Sequence, residues 1–82
     1  MFYVYILKSK IKDWRYVGYT GNLKQRLKQH NEGKTTATQN HRPFELISYV
    51  AVQDQQVALE LEKYFKSGSG IAWKNKHLLP KN

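Results

Sequence analysis

Residues 2–20 read Phe2-Tyr3-Val4-Tyr5-Ile6-Leu7-Lys8-Ser9-Lys10-Ile11-Lys12-Asp13-Trp14-Arg15-Tyr16-Val17-Gly18-Tyr19-Thr20. Two runs rich in Tyr, Val, Ile and Trp, over 2–8 and 14–20, flank a polar connection at 9–13, the pattern of a β-hairpin. With Lys8 opposite Asp13, a four-residue loop closes the hairpin and Tyr5 falls opposite Tyr16. The alternation of side chains along a strand puts Tyr3, Tyr5 and Leu7 on one face, together with Trp14, Tyr16 and the bare backbone of Gly18.

Beyond the hairpin, Asn22 caps a helix running from Leu23 to about Asn31, with Gly33 as its stop signal. Leu23 and Leu27 form its inward stripe, and Arg26 and His30 lie side by side along one border, placed to reach a groove over the sheet. Lys24 and Lys28 point the other way. A polar loop from Lys34 to Arg42 leads through Pro43 into a third strand, Phe44 to Val52. Asp54 then caps a second helix reaching about Ser67, with Val57, Leu61, Tyr64 and Phe65 as its buried stripe and Glu60 and Glu62 on opposite borders. Ser67-Gly68-Ser69-Gly70 breaks that helix. Ile71 to Leu79 reads as a short third helix or turn, basic through Lys74 and Lys76 and ended by Pro80. The order β-β-α-β-α-α implies an α+β domain, a small three-stranded, mainly antiparallel sheet flanked by helices.

Eighty-two residues supply one core, so 1–82 is expected to be a single domain. Hydrophobic residues make up 40% of the chain, enough to bury that core. Cysteine is absent, which excludes a disulfide framework and a thiolate zinc site and leaves oxygen and imidazole as metal ligands. The apolar start has no basic residues before it and alternates too soon with polar ones to span a bilayer, so no targeting segment is read and the cytoplasm is the expected location. Fourteen Lys and Arg against six Asp and Glu leave a net charge of +8, which favours a polyanionic partner over a small neutral substrate. Many small domains are basic for solubility alone, so the charge must be read with the motifs.

Tyr3-Val4-Tyr5, Tyr16-Val17-Gly18, then Arg26 and His30 in the next helix, then Glu62 in Ala58-Leu59-Glu60-Leu61-Glu62 form an ordered set. This set resembles the GIY-YIG nuclease superfamily, in particular the short stand-alone bacterial members, and domains like the N-terminal one of the excision-repair incision subunit. The similarity runs from Tyr3 to about Lys66 and includes the Arg42-Pro43 step. Tyr3 stands where the family's first motif has glycine, a replacement usual in the short members. Of the late asparagine that many members carry, only Asn75 lies in a comparable region.

The resemblance implies the GIY-YIG endonuclease fold and metal-dependent hydrolysis of phosphodiester bonds. It places Tyr5 and Tyr16 beside the attacking water, Arg26 on the scissile phosphate, Glu62 on a single divalent ion, and His30 in an assisting role. The chemistry suits these residue types. One carboxylate with several waters fits a hard Mg²⁺ or Mn²⁺ ion, and arginine offers forked donors to phosphate oxygens. A phenol of pKa about 10 is a poor base unless cations lower it, as Arg26 and a metal ion could; one tyrosine is expected to take the proton of the water and the other to position it.

Each residue also has an ordinary structural reading. Tyr5 and Tyr16 are equally a stabilising cross-strand pair, Arg26 and His30 a helix edge, and Glu60 rivals Glu62 as the metal ligand. Lys24, Lys28, Lys34, Arg42, Lys74 and Lys76 are candidate contacts to a nucleic-acid backbone and, singly, solubilising charges. With no recognition module attached, the expectation is an endonuclease acting on DNA by structure rather than sequence, monomeric or weakly oligomeric, with a protein partner supplying any specificity and no membrane association. The rival reading is a catalytically silent nucleic-acid-binding or adaptor module on the same fold.

Overall fold

A computed structural model describes residues 1–80. Strands β1 (Phe2–Ser9) and β2 (Arg15–Thr20) precede helix α1 (Leu23–Asn31), and a 3₁₀ turn (Gln39–His41) leads to β3 (Phe44–Val52), α2 (Gln55–Phe65) and α3 (Gly68–His77). The sheet has the order β2-β1-β3 and is antiparallel throughout. The architecture is the expected α+β one, with the expected element order.

The central strand β1 divides its residues between two packed layers, as a period of two requires. Val4 and Ile6 join Val17, Ala58 and Phe65 beneath α2, with Leu78 and Leu79 packed alongside. Tyr5 and Leu7 join Phe44 on the other face, where Leu23 and Leu27 of α1, Trp14 and Tyr16 close over them.

The hairpin register differs from the expected one by two residues. Tyr5 lies opposite Gly18 and Lys8 opposite Arg15, so Tyr16 faces Leu7 instead of Tyr5. Ser9 is the physical reason. Its side-chain oxygen accepts the backbone N–H groups of Ile11 (3.3 Å) and Lys12 (3.2 Å) and donates to the carbonyl of His41 (2.5 Å), holding a wider loop that closes with Ser9 N–H on the carbonyl of Trp14 at 2.9 Å. A slide of two keeps every side chain on its expected face.

The helix caps follow the sequence. Asn22 Oδ1 accepts the N–H of Gln25 at 3.0 Å, and Asp54 Oδ1 accepts that of Gln56 at 2.7 Å. Gly33, at φ 77°, turns the chain out of α1, and the guanidinium of Arg42 fills the space where a side chain at residue 33 would lie. In α2 the buried stripe is rotated from the expected one. Ala58 and Phe65 are buried and Leu61 half-buried, while Val57 and Tyr64 are 45% and 42% exposed. The small, apolar Ala58 lets the helix sit close, and that rotation turns Glu62 toward the sheet and Glu60 to solvent. The chain does break after α2 at Ser67–Gly70, as expected, but this segment is also the cap and first turn of α3, which begins at Gly68 rather than Ile71. Ser67 Oγ accepts from Gly70 N–H at 3.2 Å, and Gly70 lies against the Tyr64 carbonyl with no room for a Cβ.

Candidate active site

Tyr5 enters the site from the middle of the sheet and is buried. Gly18 opposite lacks a side chain, and the Tyr5 ring takes that space: a Cβ at residue 18 would stand 2.5 Å from the phenol oxygen and 2.7 Å from Cζ. Tyr16, half-buried, stands diagonally, with ring centroids 6.5 Å apart and planes at 43°. The two tyrosines are neighbours, although not the directly facing pair.

His30, at the last turn of α1, is buried to 1% exposure, deeper than its border position suggested. Its Nε2 is 2.8 Å from the Tyr5 hydroxyl and its Nδ1 is 2.8 Å from Thr38 Oγ1. The Thr38 hydroxyl donates to the Thr35 carbonyl at 3.4 Å. It therefore accepts from Nδ1–H, which leaves Nε2 as the acceptor for the Tyr5 hydroxyl. Burial first, then Arg26, push the imidazole below its ordinary 6.5 and keep it neutral.

The phenol of Tyr5 is pushed up to about 12, by burial first and then by Tyr16; Arg26 acts in the opposite sense, and the Glu62 charge adds to the rise. The expected lowering by Arg26 is real but outweighed by desolvation. Arg26 is half-buried, donates through Nη1 to Gln29 Oε1 at 3.2 Å, and has a buried Nε–H without a partner among the described residues. A buried donor left unmade costs about 1–3 kcal/mol, so an oxyanion in front of Arg26 would find a donor already desolvated.

Glu62 belongs to α2, on the other layer, yet its charge is felt at Tyr5. It is half-buried and pairs with Lys66 at 3.5 Å, and the Lys66 ammonium lies 5.8 Å from the centroid of the Tyr16 ring. Lys66 was absent from the residues singled out in the sequence; its spacing of four from Glu62 was the available signal. Among the described residues no three His, Cys, Asp or Glu side chains converge. A hard divalent ion, which keeps several waters and takes its remaining ligands from phosphate, is compatible with Glu62 as its single protein carboxylate.

The basic residues are scattered. Lys24, Lys28 and Lys76 are exposed, and Lys34 is exposed beside Glu32 at 3.4 Å. Arg42 covers Gly33. Lys74, expected at the surface, is 8% exposed, its ammonium held below the usual lysine range by burial and then by Arg15. Asn75 is exposed in α3, with no side-chain hydrogen bond to the residues around Tyr5 among those described.

Tyrosines from two strands, an arginine and a histidine from the helix after them, and a glutamate from the next helix are the candidate residues, and the chain that carries them is similar to known proteins. Residues 1–76 match the GIY-YIG catalytic domain, and the chain belongs to this nuclease family, whose members act on nucleic acid and generally use divalent metal ions. Within it the chain is similar to bacterial UPF0213 proteins. It is 40% identical over 65 residues to YazA of Bacillus subtilis, covering 78% of this chain and 65% of YazA, just under two thirds of that relative. It is 39% identical over 71 residues to the protein in the ldhD 5′ region of Pediococcus acidilactici, covering 83% and 71%. The solution NMR structure of BH0048 from Bacillus halodurans superposes with a TM-score of 0.56 at 31% identity, over 93% of this chain and 84% of that one. No helix among the described residues is long and apolar enough to cross a membrane.

Proposed function

We propose that the chain is a single cytoplasmic domain that hydrolyses phosphodiester bonds in DNA with the help of one Mg²⁺ or Mn²⁺ ion, selecting its substrate by structure rather than sequence. Tyr5, Tyr16, Arg26, His30 and Glu62 are its catalytic residues, with Glu62 as the metal ligand. The observation that carries the reading is the hydrogen-bonded Tyr5–His30 pair beside an arginine whose buried Nε–H has no partner among the described residues.

A phenol at about 12 does not ionise alone near neutral pH, but Tyr5 need not. As a water attacks phosphorus, Tyr5 oxygen takes the proton of the water while its own passes to His30 Nε2, and the Nδ1–H bond to Thr38 steadies the imidazolium formed. Tyr16, with its ring between Tyr5 and Lys66, orients the water. Arg26 meets the charge that grows on the non-bridging oxygens. A divalent ion on Glu62 would neutralise phosphate charge and stabilise the leaving alkoxide. Exposed Lys24, Lys28, Lys34, Arg42 and Lys76 contact the backbone, and Lys74 adds to the field from beneath.

The test is cleavage of branched, nicked and single-stranded DNA with Mn²⁺. Activity that Glu62→Ala abolishes, with the melting transition unchanged, supports the reading; undiminished cleavage in that variant refutes the metal assignment. Salt-sensitive DNA binding with no cleavage of any substrate would instead favour the silent binding module.

A further inference from the structure

A bulge in β3 places a second aromatic surface beside Tyr5. Ile6 pairs with Ser48 but Leu7 pairs with Leu46, so Ile47 is the extra residue. The bulge resets the alternation, and Leu46 and Tyr49, three residues apart, both turn toward α1. Both line a groove of about 520 Å³ together with Tyr3, Leu23, Lys24 and Leu27. Tyr49 is the direct cross-strand neighbour of Tyr5 and meets Tyr3 edge to face at 5.8 Å and 67°. Tyr49 is nevertheless 51% exposed.

We propose that this groove takes an unpaired nucleobase of the strand being cut, stacked on Tyr49, with Lys24 meeting the neighbouring phosphate. The inference rests on the nuclease reading and adds the kind of substrate: a strand with at least one base out of the duplex. Three observations select this occupant. The walls are aromatic and aliphatic with a cation at the rim, the composition that binds a flat base tethered to a phosphate. The volume lies within the roughly 300–1,000 Å³ of small-ligand sites, large enough for a nucleoside. The groove also adjoins the site: Tyr49 in its wall pairs across the strands with Tyr5, and Leu23 and Leu27 in its wall flank Arg26 on α1. A second copy of the chain would bring another +8 against this one.

The test uses metal-free protein and short single-stranded oligodeoxynucleotides, each carrying one 2-aminopurine in a different position. Binding to wild type and to Tyr49→Phe should quench the probe at one position. Tyr49→Ala should lose the quenching and bind about tenfold more weakly, with affinity for a fully paired duplex unchanged. Replacing the quenched position by an abasic residue should weaken wild-type binding by about the same factor. Equal binding and quenching in Tyr49→Ala, or equal wild-type affinity for intact and abasic strands, overturns the proposal while leaving the nuclease reading to its own cleavage test. Tyr49-dependent stacking without cleavage on any substrate keeps the groove assignment and refutes the nuclease. A dimer that Tyr49→Ala dissolves would assign the groove to a second copy and overturn the proposal.

Discussion

Tyr5 lies directly across the sheet from Gly18, and its hydroxyl occupies the position a side chain at residue 18 would need. The smallest added group must therefore displace the phenol that donates to His30. Gly18→Ala is expected to cost about 1–3 kcal/mol, as overpacking does, which lowers the melting midpoint of a domain this size by roughly 4–8 °C per kcal/mol. Cleavage should be lost with it. A double-mutant cycle with Tyr5→Ala checks the cause by thermal melting: the alanine at 18 should cost much less once the ring is gone, and strict additivity would exclude the clash.

The Tyr5–His30 pair sets both edges of the pH range. His30 has a folded pKa below 6.5, so the unfolded chain binds more protons; its contribution is complete above about 6.5 and is lost as pH falls through and below that value. Tyr5 has a folded pKa of about 12 against about 10 unfolded, so its contribution is complete below 10 and is lost as pH rises from 10 to 12. Melts across pH should show both declines. His30→Gln should flatten the acid one, and Tyr5→Phe should remove an ultraviolet tyrosinate transition near 12.

Arg26 holds a buried donor without a partner among the described residues, so its removal should separate stability from function. Arg26→Ala is expected to leave the melting midpoint unchanged or slightly raised and to cut cleavage by about 100-fold or more. Arg26→Lys should not restore the rate, because a single ammonium lacks the forked donors. A large loss of stability in Arg26→Ala would show that the residue serves the fold.

Lys66 pairs with Glu62 at 3.5 Å, so with Glu62 as the proposed metal ligand it would compete with the ion. A partly exposed pair spaced by four residues is worth no more than about 0.5 kcal/mol, so Lys66→Ala should melt within a few degrees of wild type. Its half-maximal Mn²⁺ concentration for cleavage should fall. An unchanged metal titration would remove the competition.

Much of this arrangement is legible in the residues, and the gaps have identifiable causes. The side-chain alternation of 2–8 and 14–20 placed Tyr5, Tyr16 and Gly18 on one face, and the two-residue slide left that intact. The slide itself depends on Ser9 bonding to His41, a distant residue that local turn rules do not see. The rotation of α2 escaped because the apolar pattern weights Val57 and Tyr64 above the small Ala58, although Ala58 is the residue that packs. Ser67–Gly70 breaks α2 as its composition says, but that α3 starts within it depends on the closeness of the two helices, which makes Gly70 the condition for the corner. The bulge at Ile47 has no mark in composition, so Tyr49 went unnoticed. The role of His30 depended on Thr38, eight residues on in an apparently featureless loop.

Helix α2 packs with Ala58 and Phe65 on the layer opposite α1, while Glu62 and Lys66 on its flank reach the tyrosines of the first layer. Groups from the two opposite layers therefore come together, and on the proposed reading their spacing would be set by the apolar packing of α2. Phe65, buried in that packing, would then act as a spacer. Trimming it would detune the alignment of carboxylate and arginine even in a molecule that remained folded.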